Sequence, residues 1–351
     1  MTKPQTVIAT WLMGVASQFE RLGIGPAELG SGGGSSLGAE AAPTRQLQLV
    51  QVRRLWQRAA AVSDDALLGL RVGTGLPLQA MNILALVVMH SATLRDALAH
   101  CIRYQQLISN SGRFRLIAVP SGARMVYRIT PCPVPMHPAQ VDSLFAGFLT
   151  MLYRCVPDGQ RPSQVALPGT DPGQRAAYER CLECPVTLGA AETFIEFEDA
   201  ALDARWHAAD PSLLRLLLGR ADAQLQAQGR SDALIDEVTA AVAGEGFGRA
   251  RCETVARSLD MSTRTLQRRL AQCDTNFRKL IDAARMNEAL QLLADARVPL
   301  STLAERLGYA EPSAFSHAVR SHFGMSPRAL RAEVTEAGDT VNGFGRHASA
   351  R

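Results

Sequence analysis

Apolar residues in the last third of the chain recur at intervals of three and four residues, with short polar turns between the runs. A short helix is predicted at 253–259, then a turn, then a helix for which Ser262 is a favourable N-cap. The same layout returns at 301–307 and 312–323, and an amphipathic run over 276–294 lies between the two copies. The pattern predicts an all-α domain with two helix-turn-helix units joined by a long helix.

The first two thirds of the chain show a different pattern, in which helical and alternating periodicities are mixed. Alternating runs at 114–119 and 124–129 flank Pro120-Ser121-Gly122 and predict a β-hairpin. Because the strands and helices follow no regular βαβ rhythm, the predicted fold class is an α+β N-terminal domain followed by the all-α domain. Further strands are predicted at 162–168 and 193–197, and helices at 7–22, 46–62, 80–89, 93–107 and 140–153.

The polar, glycine-containing segment 226–231 is the best candidate for a linker. It predicts one domain over 1–228, a linker over 229–231, a second domain over 232–333, and a tail over 334–351 that we expect to be disordered. Just before this segment, Asp210-Pro211 can begin a leucine-rich helix that runs to about residue 225. Its apolar side is consistent either with packing inside the domain or with pairing between two subunits.

Composition and charge narrow the function classes. The apolar fraction of 47% excludes wholesale disorder, and no apolar run reaches the length of a membrane span. Residues 1–248 carry 21 basic and 22 acidic side chains, whereas residues 249–331 carry 14 basic and 8 acidic ones. The excess positive charge therefore coincides with the two helix-turn-helix units. It favours a polyanionic partner, most simply nucleic acid, and a solvated basic face without a partner is the alternative.

The outward-facing positions of the second helix of each unit are the candidate DNA-binding residues. Arginine and glutamine are well suited to reading base edges in a major groove. In the first unit these positions are Thr263, Arg264, Gln267, Arg268 and Arg269. In the second unit they are Glu311, Ser313, Ser316, His317 and Arg320.

Residues 231–331 resemble the DNA-binding domain of AraC-type (AraC/XylS) transcription regulators. The matching stretches are 255–270, 285–293, 303–319 and 323–328. The resemblance implies that the first recognition helix reads bases from Arg264, Gln267 and Arg268. It implies that the second does so from Pro312, Ser313, Ser316 and His317. Members of this family commonly have arginine where this chain has His317, and a neutral imidazole lacks the bidentate fork of a guanidinium.

Residues 1–228 more loosely resemble the α+β effector-binding domain of the arabinose-binding-domain-like branch of the same family. The features that match are the early helices, Pro185-Val186, the run 193–197 and the Asp210-Pro211 helix start. The resemblance implies a transcription regulator controlled by a small-molecule effector, whose identity the sequence does not give. We expect a homodimer, with RNA polymerase as a further candidate partner. We also expect a pocket between the hairpin and the helices.

Other candidate chemistry receives little support. Cys181 and Cys184 have the spacing of a metal or redox pair, but no further ligands lie near them in the sequence, so structural thiols are favoured. Glu196 and Glu198 share one face of a predicted strand, which favours a solvated edge over a catalytic pair. The glycine-rich segment 30–38 lacks the lysine of a phosphate-binding loop and is read as a flexible loop.

We therefore expect no catalytic residues, no metal and no cofactor. The seven cysteines, an odd number in a chain of 351 residues, favour a reducing cytoplasm over a disulfide framework. The alternative to a DNA-binding regulator is a small-molecule-binding protein or enzyme whose helical C-terminal domain only packs or mediates protein contacts. Salt dependence of DNA affinity distinguishes the two hypotheses, because only phosphate contacts release counterions.

Overall fold

The computed structural model describes residues 6–29, 46–130, 132, 134–155, 160–169, 171–206, 209–332 and 335. The chain divides into two compact units, and the division along the main run of the chain falls between Gln226 and Ala227. The glycine-rich loop predicted at 30–38 lies outside the described residues, as does the predicted tail at 334–351 apart from Thr335.

The N-terminal unit mixes short strands with helices, which confirms the predicted α+β class. Three 3-10 turns, Leu78–Met81, Gln105–Leu107 and Pro172–Gln174, precede or follow longer helices. The helices and strands are β1 (Thr6–Ile8), α1 (Ala9–Arg21), α2 (Pro26–Leu29), β2 (Gln46–Gln48), α3 (Leu49–Val62), α4 (Leu68–Thr74), α5 (Asn82–Met89), α6 (Leu94–Tyr104), β3 (Gly112–Val119), β4 (Gly122–Ile129), α7 (Pro138–Tyr153), β5 (Gln164–Ala166), α8 (Arg175–Leu182), β6 (Val186–Thr187), β7 (Thr193–Glu198) and α9 (Asp199–Asp203).

A five-stranded sheet with the order β3-β4-β7-β5-β6 forms one layer of this unit. Strands β3 and β4 make the predicted antiparallel hairpin, in which Val119 pairs with Gly122 across Pro120 and Ser121. Gly122 has a φ of 153°, and a Cβ there would overlap the carbonyl oxygen of Phe197 on the neighbouring strand. Only the pair β5–β6 is parallel among the paired strands of this sheet. The sheet is therefore not doubly wound.

The predicted solvated edge at Glu196 is wrong, because β7 lies between β4 and β5 in the sheet. The Glu196 carboxylate accepts hydrogen bonds from the Arg124 guanidinium, with an Nη2–Oε2 distance of 2.7 Å, and from Ser121 Oγ at 3.1 Å. The Glu196 side chain is only 15% exposed. A cross-strand ion pair, which periodicity along one strand cannot reveal, accounts for this glutamate.

The helices of the N-terminal unit pack tightly on one another, and the closest approach lies between α4 and α7. A Cβ on Gly69 would overlap the backbone of Ala139, so this helix pair requires glycine at that position. Phe19 and Trp56 meet edge to face at 4.9 Å in the core.

Among the described residues no single helix is long and apolar enough to cross a membrane. Leu68–Thr74 and Leu78–Met89 meet the criterion of length and apolar composition only as a pair, bent by 90°.

Two predicted helices begin later than expected because their first residues form strands. Residues 6–8 pair with residues 46–48 as the antiparallel ribbon β1–β2, and α1 and α3 follow directly. This pairing joins segments almost 40 residues apart, so helical periodicity within either segment could not show it. Thr93 caps α6, since its side chain accepts a hydrogen bond from the Asp96 backbone N–H.

The predicted linker at 229–231 is helical. Helix α10 runs without interruption from Pro211 to Glu245, so the leucine-rich helix predicted to end near residue 225 continues through the predicted linker. Residues 226–231 are largely alanine, glutamine and arginine, which are good helix formers. Gly229 costs only about 1 kcal/mol inside a helix. Leu214 and Leu217 pack against the N-terminal core, whereas Leu216 is 73% exposed.

The C-terminal unit is helical throughout its described elements, as predicted. It comprises the end of α10 followed by α11 (Cys252–Ser258), α12 (Thr263–Gln272), α13 (Phe277–Leu293), α14 (Leu300–Arg306) and α15 (Pro312–Phe323). Ser262 and Asn276 cap α12 and α13 through hydrogen bonds from backbone N–H groups, and Gly324 ends α15 with a φ of 73°. These boundaries lie within one or two residues of the predicted ones, and the starts of α12 and α13 and the end of α15 are each marked by a local capping residue.

Candidate nucleic-acid interface

The first helix-turn-helix unit consists of α11, the turn 259–262 and α12. The turn is closed by a hydrogen bond of 2.9 Å from the Met261 backbone N–H to the Ala256 carbonyl. Asp260 takes a positive φ of 54°, a conformation that aspartate tolerates better than most residues. Ser262 Oγ then accepts a hydrogen bond from the Thr265 N–H at 3.1 Å, and α12 begins. The turn thus fixes the direction in which α12 leaves α11.

The buried side of this unit fixes the rotation of α12 about its axis. Val255, Ala256, Leu266 and Leu270 are at most 1% exposed, and the small Ala256 lets the two helices approach. Leu259 and Met261, which lie in the turn, are half-buried. With one side of α12 held in this way, the opposite side is set towards solvent.

That outward side carries the predicted residues of the first recognition helix. Arg264, Gln267 and Arg268 are exposed, and Thr263 is half-buried. Among the described residues no side-chain hydrogen bond or ion pair engages Arg264, Gln267 or Arg268. Their neighbour Arg269 differs, because its Nη1 lies 3.6 Å from the sulfur of Met261 in the turn. The three long donors therefore share one surface that is open to a partner.

The second unit repeats the first with a turn that is one residue longer. The backbone N–H of Tyr309 donates to the Ala304 carbonyl at 2.9 Å, as Met261 does to Ala256. Gly308 occupies the place of Asp260, with a φ of 75°. A Cβ on Gly308 would overlap the backbone of Gly248, so this turn, unlike the first, requires glycine. The close approach ties the second turn to the loop that follows α10.

The outward side of α15 carries the second predicted set of residues. Phe315, Val319 and Phe323 are at most 3% exposed and form the buried side. The predicted residues on the opposite side are exposed except for Ser316, which is half-buried. They are Pro312, Ser313, Ser316, His317 and Arg320, with the predicted outward-facing Glu311 just before the helix.

Helix α13 connects the two units. Its 17 residues give a length of about 25 Å at 1.5 Å per residue. Ala284, Met286 and Leu290 on its length are buried. Arg285 was not singled out in the sequence as a site residue, yet it joins three parts of this unit. Its Nη2 donates to the Phe247 carbonyl at 2.7 Å, and its guanidinium lies 5.2 Å from the centre of the Tyr309 ring.

The N-terminal unit contains a cavity of about 70 Å³ where the hairpin β3–β4 meets the helices, as the sequence predicts. Its polar lining atoms are already engaged: Gln105 Oε1 accepts from the Phe114 N–H at 2.7 Å, and Ser111 Oγ lies 3.2 Å from Tyr127 Oη. The surface presented to the cavity is consequently apolar. The main lining side chains are Trp11, Met81, Leu84, Phe114, Tyr127 and Phe148.

The cysteine pair at 181 and 184 is not joined by a disulfide. Cys181 is exposed and Cys184 is buried, and burial raises the pKa of the Cys184 thiol to about 11. A protonated thiol is neither a good nucleophile nor a good metal ligand. Within the described part of the chain, no three His, Cys, Asp or Glu side chains come together in a way that could hold a metal ion.

Comparison with known proteins agrees with this architecture. Residues 23–206 match the model of the arabinose-binding domain of AraC transcription regulators, and residues 255–333 match a helix-turn-helix domain model. The HTH-type transcriptional regulator VirS of Mycobacterium tuberculosis is 30% identical over 288 residues, which cover 80% of this chain and 82% of that protein. A second HTH-type transcriptional regulator, Mb1430 of Mycobacterium bovis, is 27% identical over 284 residues, covering 80% of this chain and 82% of that protein.

Among solved structures, the transcriptional regulator CdpR of Pseudomonas aeruginosa is similar at 22% identity and a TM-score of 0.45, covering 91% of this chain and 97% of that one. Two helix-turn-helix units that follow an α+β domain along the chain define a DNA-binding transcription regulator. With both domain models matched, the chain belongs to the AraC family of transcription regulators.

Proposed function

We propose that this regulator reads two successive major grooves of double-stranded DNA, with α12 in one groove and α15 in the next. The observation that carries the proposal is the exposed, unengaged set Arg264, Gln267 and Arg268 on a helix whose other side is fully buried. Successive major grooves on one face of DNA are about 34 Å apart. A connecting helix of about 25 Å is a suitable spacer for two recognition helices.

The proposed base-reading residues are Thr263, Arg264, Gln267 and Arg268 in the first groove, and Pro312, Ser313, Ser316, His317 and Arg320 in the second. The charge of the unit supports this assignment, because residues 249–331 hold 14 basic and 8 acidic side chains. Long-range attraction to phosphates brings the protein to DNA, and the base edges then select the site.

The test is binding of the full chain to its genomically mapped sites, measured by fluorescence anisotropy at several salt concentrations. We expect the logarithm of affinity to fall linearly with the logarithm of salt concentration, as counterions are released from phosphates. A random duplex of the same length serves as the control, and we expect it to bind at least a thousandfold more weakly. Equal affinity for both duplexes, or an affinity that salt leaves unchanged, would contradict the proposal.

We further propose that a small, mainly apolar effector binds the cavity lined by Trp11, Phe114 and Phe148. A cavity of about 150 Å³ accepts benzene. The cavity in this unit is about 70 Å³, so a ligand of the size of benzene or larger requires the lining side chains to move. The half-buried Phe114 ring, 6.0 Å from the Phe148 ring, is placed to move. Thermal denaturation of the full chain against a metabolite panel should find a stabilising apolar compound. A Leu84→Trp variant, which fills the cavity, should lose that stabilisation.

We also propose that the chain is a homodimer, and that exposed leucines of α10 contribute to the interface. Leu213 and Leu216 are 38% and 73% exposed, whereas Leu214 and Leu217 already pack on the core of their own subunit. Sedimentation of a Leu213→Glu, Leu216→Glu variant should show a monomer where the wild type is dimeric. Ala223→Glu on the same helix is the matched control. Contact with RNA polymerase stays a prediction, as does the reducing cytoplasm that the seven cysteines favour.

A further inference from the structure

A second pocket, separate from the apolar cavity, opens in the N-terminal unit with a volume of about 380 Å³. It lies where the segment between α3 and α4, the start of α7 and the segment leading to α8 come together. This volume falls within the range of small-molecule sites in proteins. The lining residues that matter here are Asp64, Asp65, His137, Asp142, Asp171 and Tyr178.

Carboxylates dominate the charge of this pocket. Four aspartates line it, and no lysine or arginine is among the lining residues in the described part of the chain. Two of the four have partners: Asp65 Oδ2 lies 2.8 Å from Arg71 Nε, and Asp171 Oδ1 accepts from the Gly173 N–H at 2.9 Å. Asp64 is exposed at the rim. The pocket therefore presents a negative field to any molecule that enters.

Asp142 is the unusual member of this group because it is buried and only half satisfied. The residue is 4% exposed. Its Oδ2 accepts a hydrogen bond of 2.7 Å from Tyr178 Oη, whereas its Oδ1 has no hydrogen-bond partner among the described residues. Burial raises the pKa of this carboxyl to about 7, although the bond from Tyr178 lowers it. A buried acceptor without a donor is costly. This oxygen is itself inaccessible to solvent, so a ligand that donates to it must first displace the side chains that line the pocket.

The start of α7 does not offer the pocket an anion site. Pro138 has no N–H, the Ala139 N–H donates to His137 Nδ1 at 3.2 Å, and the Gln140 N–H donates to the His137 carbonyl at 2.9 Å. Burial lowers the pKa of the His137 imidazole, which favours its neutral form. The donors of the helix end are thus already used within the helix, and what remains open in the pocket is an acceptor.

We propose that this pocket binds a small organic cation, an alkylammonium or guanidinium compound, whose N–H group donates to Oδ1 of Asp142. A metal ion is disfavoured, because no three candidate ligand side chains converge in the described part of the chain. An ammonium or guanidinium group needs only one close carboxylate and gains from the surrounding negative charge. The site lies outside the DNA-binding unit, so its existence does not depend on the proposed DNA contacts.

The test is isothermal titration of the full chain with 1,4-diaminobutane and with methylguanidine at pH 8. Neutral 1,4-butanediol and anionic succinate, which are similar in length to the diamine, are the ligand controls. We expect at least one cation to bind with submillimolar affinity and both controls to bind at least tenfold more weakly. Binding of neither cation, or equal binding of the diol, overturns the proposal.

The variant Asp142→Asn removes the charge and keeps the shape, and we expect it to weaken cation binding at least about tenfold. Asp236→Asn, on the exposed side of α10, is the matched control and should bind as the wild type does. Thermal denaturation checks that both variants are folded. Unchanged affinity in folded Asp142→Asn overturns the proposal.

A measurement on the unaltered protein gives the same decision even if that variant fails to fold. The cation pairs with the ionised form of Asp142, so affinity should fall about tenfold from pH 8 to pH 6 as the carboxyl with a pKa of about 7 takes up its proton. The other groups facing the pocket are the carboxylates of Asp64, Asp65 and Asp171, the neutral His137 and the Tyr178 hydroxyl, whose pKa burial raises. Affinity that does not change between these pH values overturns the proposal.

Discussion

The two recognition helices share a scaffold and differ in the chemistry that they expose. In both units a positive-φ residue and one backbone hydrogen bond of 2.9 Å close the turn, and a buried apolar side fixes the second helix. Helix α12 then presents two arginines and a glutamine, whereas α15 presents two serines, a histidine and a single arginine, Arg320. The comparison teaches that the buried side decides where a helix points, and the exposed side decides how strongly it can read a base.

The largest effect should come from breaking the scaffold of the second unit with Gly308→Ala. The new methyl group must overlap the backbone of Gly248 and also adopt a positive φ, so we expect a loss of about 3 kcal/mol or more in the free energy of unfolding. Gly246→Ala is the matched control, because Gly246 has a φ of 85° and a Cβ there would make only ordinary contact with the Arg249 side chain, at 3.6 Å. This variant should cost only about 1–2 kcal/mol. Urea denaturation measures both, and equal losses would show that the contact with Gly248 is unimportant.

The next largest effect should come from Arg268→Ala in the first recognition helix. One bidentate arginine contact is worth about 1–3 kcal/mol of base discrimination, so specific affinity should fall about tenfold or more and one base preference should relax. Arg269→Ala is the control of equal charge, since Arg269 is turned towards Met261. Binding to sites randomised in each half measures both. If the two variants lose the same affinity and keep the same preference, α12 does not read bases through Arg268.

A gain of function should sharpen the comparison. His317→Arg gives α15 a second exposed arginine besides Arg320, at the position in its first half that now carries a histidine. The direction of the helix is fixed by Phe315 and Val319. We expect affinity for a site with guanine in the second half to rise about threefold to tenfold. His322→Arg, on the same helix near its end, controls for the added charge. An equal gain from both variants on all sequences would indicate phosphate attraction alone.

The smallest effect should come from Ser316→Ala. The hydroxyl is short and half-buried, so we expect less than about a threefold loss of affinity for the intact site. The comparison is made on the same randomised sites as for Arg268→Ala. A tenfold loss would mean that α15 contributes as much to specific affinity as α12 does, and it would contradict the predicted difference between the two helices.

The sequence predicted the C-terminal unit more closely than the N-terminal unit for a physical reason. Ser262, Asn276 and Gly324 are local signals, and each helix end can be located from a few adjacent residues. The ribbon β1–β2 and the central position of β7 depend on pairing between distant segments. Helix α10 shows the opposite error, because one glycine and a polar run predict a break at 229–231, where the helix in fact continues.

The same distinction applies to the sites. The exposed residues of α12 and α15 follow from helical periodicity once the apolar side is known, so exposure was predictable for nearly all of them. The pocket around Asp142 was not predictable, since its lining comes from three separate segments and no local spacing marks it. No local sequence signal marks Arg285, for a similar reason. Its role depends on Phe247 and Tyr309, which only the folded helices bring to it.

The distribution of tryptophan means that tryptophan fluorescence reports on the N-terminal unit only. The chain has three tryptophans, Trp11, Trp56 and Trp206, and all are buried in the N-terminal unit. Trp11 lines the apolar cavity, so a ligand there changes the surroundings of an intrinsic fluorophore. The described helices α11–α15 contain no tryptophan, so their unfolding or docking on DNA alters the surroundings of no tryptophan of their own. Emission and circular dichroism recorded together on one sample would therefore separate the melting of the two units.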